Sequence, residues 1–318
     1  DNAIKYLIKA LDENPDNQAV IYELSFCFEI AGREEDSIEF FKRFLNKNPY
    51  SDISWFNLGI AYSNLSLYEK AIDAYEYAVA ITPDFSSAYF NKANALANLG
   101  RYHEAIEAYI ETLELEEPEA LTYFYIGECY EKLEDFEKAY TNYQTSVKIN
   151  PNLADAWMGL GVINDKTGNE KVALKYMLRA VELDGGNTDN WLTLADAYYR
   201  YGMSQKAVQA YEKAALADPM HPDVWLDYSA LFAFEGDLVK AIDIVAQGIE
   251  KQSHNHELYY RLSGYLARKG RLKEASENFE LALHLNYADH HQLFEFYPDL
   301  RENEEFMNLL EMYKPDQD

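Results

Sequence analysis

The sequence predicts an all-α solenoid of stacked antiparallel helix pairs. Three observations carry this expectation. The four tryptophans, Trp55, Trp157, Trp191 and Trp225, lie apart by multiples of 34 residues. Pro15, Pro49, Pro83, Pro151 and Pro219 recur at multiples of the same 34 residues. Between these markers, apolar residues follow the i, i+3, i+4, i+7 spacing of amphipathic helices. Rare residue types held in one phase mark a repeat, each copy being one supersecondary unit that buries its apolar face only against its neighbours.

With Asp52 as position 1, units begin at Gln18, Asp52, Ser86, Ala120, Ala154, Thr188, Pro222 and His256. Ahead of them, Ala3, Leu7, Ala10 and Pro15 match the second half of a unit, so residues 1–17 read as half a repeat and the chain as a fragment that extends upstream. In the unit at Asp52, the first helix carries Trp55, Leu58, Gly59 and Tyr62 on one face. The second carries Ala71, Tyr75 and Ala78, and Pro83 stops it because proline has no N–H to give the helix. Glycine recurs at the joint within a unit, at Gly32, Gly100, Gly168, Gly202, Gly236 and Gly270, where it can take positive φ. Some units depart from the pattern: Lys92 stands in a leucine position, Pro118 comes one place late, and Gly185-Gly186 replaces a proline joint. After the eighth unit, Pro298 cuts a ninth first helix short. A last helix is expected over about 302–313, with Phe306, Leu309, Leu310 and Tyr313 on one face, favoured at its start by Asn303, Glu304 and Glu305. The expected organisation is a single array over 1–318: the half unit 1–17, eight repeats over 18–289, and a cap and tail over 290–318 that closes the array's native end.

These helix pairs resemble the tetratricopeptide repeat family. The signature stands as Trp55, Leu58, Gly59, Tyr62, Ala71, Tyr75, Ala78 and Pro83 in one unit. It stands as Tyr123, Ile126, Gly127, Tyr130, Ala139, Tyr143, Ser146 and Pro151 in another, and as Trp191, Leu194, Ala195, Tyr198, Ala207, Tyr211, Ala214 and Pro219 in a third. The resemblance implies a right-handed superhelix whose first helices line a concave face, and a protein-interaction scaffold rather than an enzyme.

Composition narrows the partners. The chain has 28 basic and 55 acidic residues, a net charge of −27. Such a field repels phosphate backbones and anionic lipid surfaces, so neither nucleic acid nor membrane is expected as a partner. No apolar run reaches the roughly 18 residues that a membrane span needs. The two cysteines, Cys27 and Cys129, are whole repeats apart, too far for a disulfide, and read as small buried residues. They suit a reducing compartment, and a cytoplasmic place is favoured. Phosphate-binding, metalloprotease, Cys-x-x-Cys and calcium-loop motifs are not found, so no catalytic residue, metal site or cofactor is expected. His254, His256, His290 and His291 flank the eighth unit, but read as polar joint residues. Asn64-Leu65-Ser66 is a glycosylation sequon, relevant only in a secreted eukaryotic protein.

Function is therefore sought on the stripe that the resemblance places in the groove. At its start the stripe carries Tyr22, Phe26, Ile53, Phe56, Asn57, Ile60, Asn64 and Phe90, with Asn91, Asn94 and Asn98 on one helix face. Asparagine can donate to and accept from an extended peptide backbone. Further on the stripe turns acidic, with Asp155, Asp165, Asp189, Asp196, Asp223 and Asp227 opposed only by Lys166 and Arg200. An acid-lined wall would attract basic segments. The family's clamp for C-terminal carboxylates needs Lys and Asn at set positions that here hold acids and aromatics, so no such clamp is expected. The expected partner is a protein or extended peptide with basic residues. A structural or oligomerisation module, or a docking platform for an upstream domain, is the alternative reading; oligomeric state is open.

Overall fold

The computed structural model describes residues 2–315, which are helical with no strand among them. Residue 1 and residues 316–318, the ends of the expected half unit and tail, lie outside the described residues. The chain divides into two compact units, one up to Thr167 and one from Gly168.

The first unit comprises α1 (Asn2–Glu13), α2 (Gln18–Ile30), α3 (Glu34–Lys47), α4 (Asp52–Asn64), α5 (Tyr68–Ile81), α6 (Ser86–Asn98), α7 (Tyr102–Leu115), α8 (Ala120–Lys132), α9 (Phe136–Ile149) and α10 (Ala154–Lys166). The second comprises α11 (Glu170–Leu183), α12 (Thr188–Arg200), α13 (Ser204–Ala217), α14 (Val224–Phe234), α15 (Leu238–Lys251), α16 (His256–Arg268), α17 (Leu272–Leu285), α18 (His291–Phe296) and α19 (Glu304–Met312). Helices pack mainly on their chain neighbours. First helices of successive pairs also touch, α2 with α4 and α4 with α6 in one unit, α12 with α14 and α14 with α16 in the other.

The shared phase of tryptophan and proline has a bond behind it. The indole Nε1 of Trp55 donates to the Pro49 carbonyl, Trp157 to Pro151 and Trp225 to Pro219, each at 2.9 Å. Trp191 makes the same bond to Gly185 at 3.0 Å, so the glycine joint keeps the link without its proline. Each bond ties the start of a first helix to the joint that precedes it. The Lys92 departure is also accommodated: its Nζ pairs with Glu76 at 2.8 Å on the preceding helix.

Close packing rests on small residues set against rings. Ala71, Tyr75 and Ala78 are fully buried, and a Cβ placed on Gly59 would lie 2.4 Å from the Tyr75 ring. The same relation joins Gly127 and Gly159 to Tyr143, Gly248 to Trp225, and Gly264 to Tyr297. Interior density of this kind leaves no room for an added methyl.

All six joint glycines have positive φ, and the two joints without glycine put Ser66 (+57°) and Glu134 (+59°) in the same region. A side chain in the left-handed region is strained by about 1–2 kcal/mol. Glu134→Gly is therefore expected to raise stability, and Gly100→Ala to lower it, by about 1 kcal/mol each. Opposite shifts of the urea midpoint at constant slope would show this; a Glu134→Gly variant that melts earlier would refute it.

At the C-terminal end the last helix begins later than the sequence suggested. Pro298 ends α18 and opens a 3-10 turn over Pro298–Glu302. The last helix starts at Glu304 rather than near 302, because the Asn303 side chain accepts from the Glu305 and Phe306 amides and caps it there. Phe306 is fully buried against Phe279 (ring centroids 5.3 Å), which also meets Phe294 at 5.7 Å. Tyr313 donates to Glu280 at 2.9 Å.

Candidate functional site

In the first unit the expected stripe splits into buried and open parts. Tyr22 and Phe26 on α2 are 43% and 55% exposed. Phe56 and Asn57, expected on the open stripe, are buried instead, as is Ile53. The cause is the close approach of α4 to α2. The Asn57 amide donates to the Ile21 carbonyl at 3.2 Å, a bond between pairs rather than a free ligand contact. Phe56 packs on Phe85 (4.9 Å) and Tyr75 (5.8 Å), and meets the edge of Tyr22 at 6.4 Å. Ile60 is half-buried against the same core, and Asn64 stays exposed.

One repeat further on, aromatic rings lie between the first helices α6 and α8. The position that holds Asn57 in α4 holds Tyr125 in α8. Tyr125 stacks on Tyr109 (5.9 Å, 9°), and Phe90 meets both edge-on at 5.7 and 5.8 Å. Above these rings lies a cavity of about 460 Å³, lined by Asn94, Asn98, Tyr102, Tyr125, Glu128 and Lys132.

The polar edge of this cavity is partly committed. The Asn94 Oδ1 accepts from the Tyr109 hydroxyl at 2.5 Å. The Asn98 Nδ2 donates to the Asn94 carbonyl, and the Asn91 Nδ2 to the Ser87 carbonyl, both at 2.8 Å. Among the described residues this leaves the Asn94 Nδ2 and the Asn98 Oδ1 without a protein partner. The expected asparagine ladder thus narrows to Asn94 and Asn98, while half-buried Asn91 bonds within its own helix. Desolvation of its carboxylate, joined by repulsion from Glu131 and Asp155 and countered by Lys132, pushes Glu128 up to about 7. The Glu128 side chain is nevertheless exposed to solvent. Burial also raises Tyr125, and lifts the buried Cys129 thiol to about 12. Glu131 is held by Lys166 at 3.0 Å. Glu128 and Lys132 were not singled out in the sequence, yet they occupy the positions of Asn94 and Asn98 one repeat later.

In the second unit the acidic residues are less bare than the stripe suggested. Asp189 pairs with His221 Nε2 at 3.1 Å, and Asp196 accepts from the Tyr211 hydroxyl. Asp223 is exposed. Asp227 is half-buried and pushed up to about 6 by desolvation and by Asp196 and Asp223, with Arg261 and His221 pulling the other way. His221 and Arg261 therefore oppose these acids, beside Arg200. Asp155 and Asp165 belong to the first unit, where Asp155 adds to the field at Glu128.

The histidines make polar contacts: His256 Nε2 lies 2.7 Å from Asp289, and His290 Nδ1 lies 2.8 Å from the Tyr287 carbonyl. Among the described residues no three His, Cys, Asp or Glu side chains gather as a metal ion would require, and no helix is long and apolar enough to cross a membrane. Cys27 and Cys129 are free thiols.

Sequence models of the tetratricopeptide repeat match residues 53–85, 86–117, 120–153, 154–187, 192–255 and 256–289. The chain belongs to the tetratricopeptide repeat family. No curated protein matches the sequence closely enough to count as a relative. Among solved structures, the repeat protein is similar to one in the Cut9–Hcn1 hetero-tetramer of the APC/C, at 18% identity over 83% of this chain and 52% of that one, TM-score 0.59. It thus spans about half the length of that structure's chain. It is similar to PilW, a type IV pilus biogenesis factor, at 17% identity over 66% of this chain and 97% of that one, TM-score 0.59. It is also similar to the C-terminal part of a tetratricopeptide repeat protein from Cytophaga hutchinsonii, at 17% identity over 76% and 99% of the two chains, TM-score 0.57. At these identities the likeness speaks for the solenoid fold. Tetratricopeptide repeats make a protein-interaction scaffold, and that much holds for this chain.

Proposed function

We propose that the repeat protein acts by binding, without catalysis, and holds an extended segment of a partner protein on its first-helix faces. The observation that carries this reading is the cavity between α6 and α8. There Asn94 and Asn98 retain a donor and an acceptor suited to a peptide backbone. Glu128 and Lys132 offer one group of each sign, over an aromatic floor for an apolar side chain. Binding sites of this make-up, mostly apolar with a few convergent polar groups, fix orientation as well as affinity. In the second unit, Asp189, Asp196, Asp223 and Asp227 would take Lys or Arg side chains of a partner segment, by long-range attraction more than by desolvated pairing.

Peptides selected from a random displayed library against the full chain test this. Those bound at the first unit should lose about tenfold or more in affinity in Asn94→Ala/Lys132→Glu, measured where the variant is folded, because the Tyr109 hydroxyl loses its acceptor and the melting temperature falls by a few degrees. Those bound at the second should weaken in the fourfold Asp→Asn variant, with a flatter salt dependence. Selected peptides that bind both variants as they bind the wild type would overturn the reading.

A further inference from the structure

A second cavity, of about 650 Å³, opens among α3, α4 and α5, away from the residues of the proposed groove. Its floor is Leu45, Leu58 and Tyr62, all buried. Its wall is the Trp55 ring stacked on Tyr77, centroids 4.4 Å apart and planes 22° apart. The Trp55 N–H is committed to Pro49, so the ring offers only its apolar surface. Tyr77 is 56% exposed.

Packing does not demand this aromatic pair. In the other three tryptophan units the place of Tyr77 is taken by Arg179, Lys213 and Gln247, and the tryptophan still makes its joint bond. An exposed stacked pair over an apolar floor is a feature of a contact surface.

The charges at its rim say what would fit. Lys42 and Lys70 both line the cavity, and among the described residues neither pairs with a carboxylate. Lys70 instead stands over the Tyr62 ring, Nζ 5.8 Å from its centroid. Lys92, Lys138 and Lys166 are each met by a carboxylate of this acidic chain, whereas the charges of Lys42 and Lys70 stay available to a ligand. Asp73 and Asn46 complete the rim, so negative groups of a ligand are directed to the lysine sides and away from Asp73.

We propose that this cavity docks an acidic segment of a partner protein, which inserts a large apolar side chain over Leu58 and Tyr62 against Trp55 while its carboxylates meet Lys42 and Lys70. The surface is separate from the groove reading and stands or falls without it. Two cations beside an aromatic wall select against basic segments, which the rest of this acidic molecule would attract.

The test is fluorescence anisotropy of the full chain with a labelled peptide, acetyl-Glu-Asp-Leu-Phe-Asp-Glu-amide, and a control in which every acid is lysine. Saturable binding of the acidic peptide is expected, weakened about tenfold or more in Lys42→Glu/Lys70→Glu and in Tyr77→Ala, and unchanged in Asn94→Ala/Lys132→Glu. Tyr77 and both lysines are exposed, so melting temperatures should match the wild type. No saturation up to about 1 mM, the weak end of specific binding, would overturn the proposal. So would equal binding by the lysine variant, loss only in the groove variant, or a dimer of the free chain that Tyr77→Ala abolishes in sedimentation.

Discussion

Alanine at Gly127 or Gly159 is expected to destabilise the first unit by about 1–3 kcal/mol each, the range seen when a packed core is overfilled. In an exposed helix the same change gains about 1 kcal/mol, since glycine is the poorer helix former. The sign reverses here because both glycines face one ring. A Cβ on Gly127 would lie 2.7 Å from Tyr143, and one on Gly159 would lie 2.6 Å from it. The ring cannot step aside. It is fully buried between α8 and α10, rests on Phe124 at 5.8 Å, and its hydroxyl donates to Glu131 at 2.9 Å. Tyr143→Ala alone should cost about 3–5 kcal/mol, as for other large buried aromatics. In that background, however, each Gly→Ala change should become favourable by up to about 1 kcal/mol, because the cavity admits the methyl and the propensity gain remains. Urea unfolding of the single and double variants measures the coupling. Costs that simply add would show that the ring is not what holds these positions to glycine.

That sandwich illustrates how far the sequence could be read. Tryptophan and proline share a phase because an indole N–H reaches the joint carbonyl six residues earlier, so any repeat that keeps the bond keeps the spacing. Gly127 was legible because it stands at the repeat's usual glycine position; Gly159, two places earlier in its own helix than that position, was not, and only its approach to Tyr143 shows what it does. Ser66 and Glu134 were not, since nothing in their side chains announces a left-handed joint; only the joint glycines of other units point to it.

The candidate site was half legible. Asn94 and Asn98 follow from the helical stripe, and the same stripe carried one repeat further reaches Glu128 and Lys132. Phe56 and Asn57 failed because what a stripe position meets is set by its side chain and not by the period. At Asn57 the position-6 side chain bonds across to the Ile21 carbonyl and is buried there. At Tyr125 the same position holds a ring, and a cavity lies over it. The pairing of Asp189 with His221 was hidden for another reason: it joins one unit's stripe to the next unit's joint, which a single-stripe reading does not cross.

The acidic residues of the second unit carry the other large effect, and it depends on pH. Asp227 is pushed up to about 6 from 3.8, first by desolvation and then by Asp196 and Asp223. The folded chain therefore holds this proton more tightly than the unfolded chain does. Between about pH 4 and 6 the folded state binds more protons, so stability falls as pH rises through that window; above it the loss is complete and constant. A full shift of this size would correspond to about 3 kcal/mol, and solvent on the open side of the half-buried carboxylate reduces it to about 1–2 kcal/mol. Asp227→Asn keeps the shape and removes the charge. At pH 7.5 it should stabilise the second unit by that amount, a rise of a few degrees in melting temperature, and at pH 4 it should change little. Arg261→Gln should act in the opposite direction, because Arg261 is the first of the two groups that favour the charged form. Amide exchange of α14 followed from pH 4 to 7.5 reads the difference locally, where a global transition of a repeat array mixes both units. Parallel curves for wild type and Asp227→Asn would mean that Asp227 meets no strain in its folded surroundings. They would leave these aspartates as a solvated wall whose only expected action is attraction at a distance.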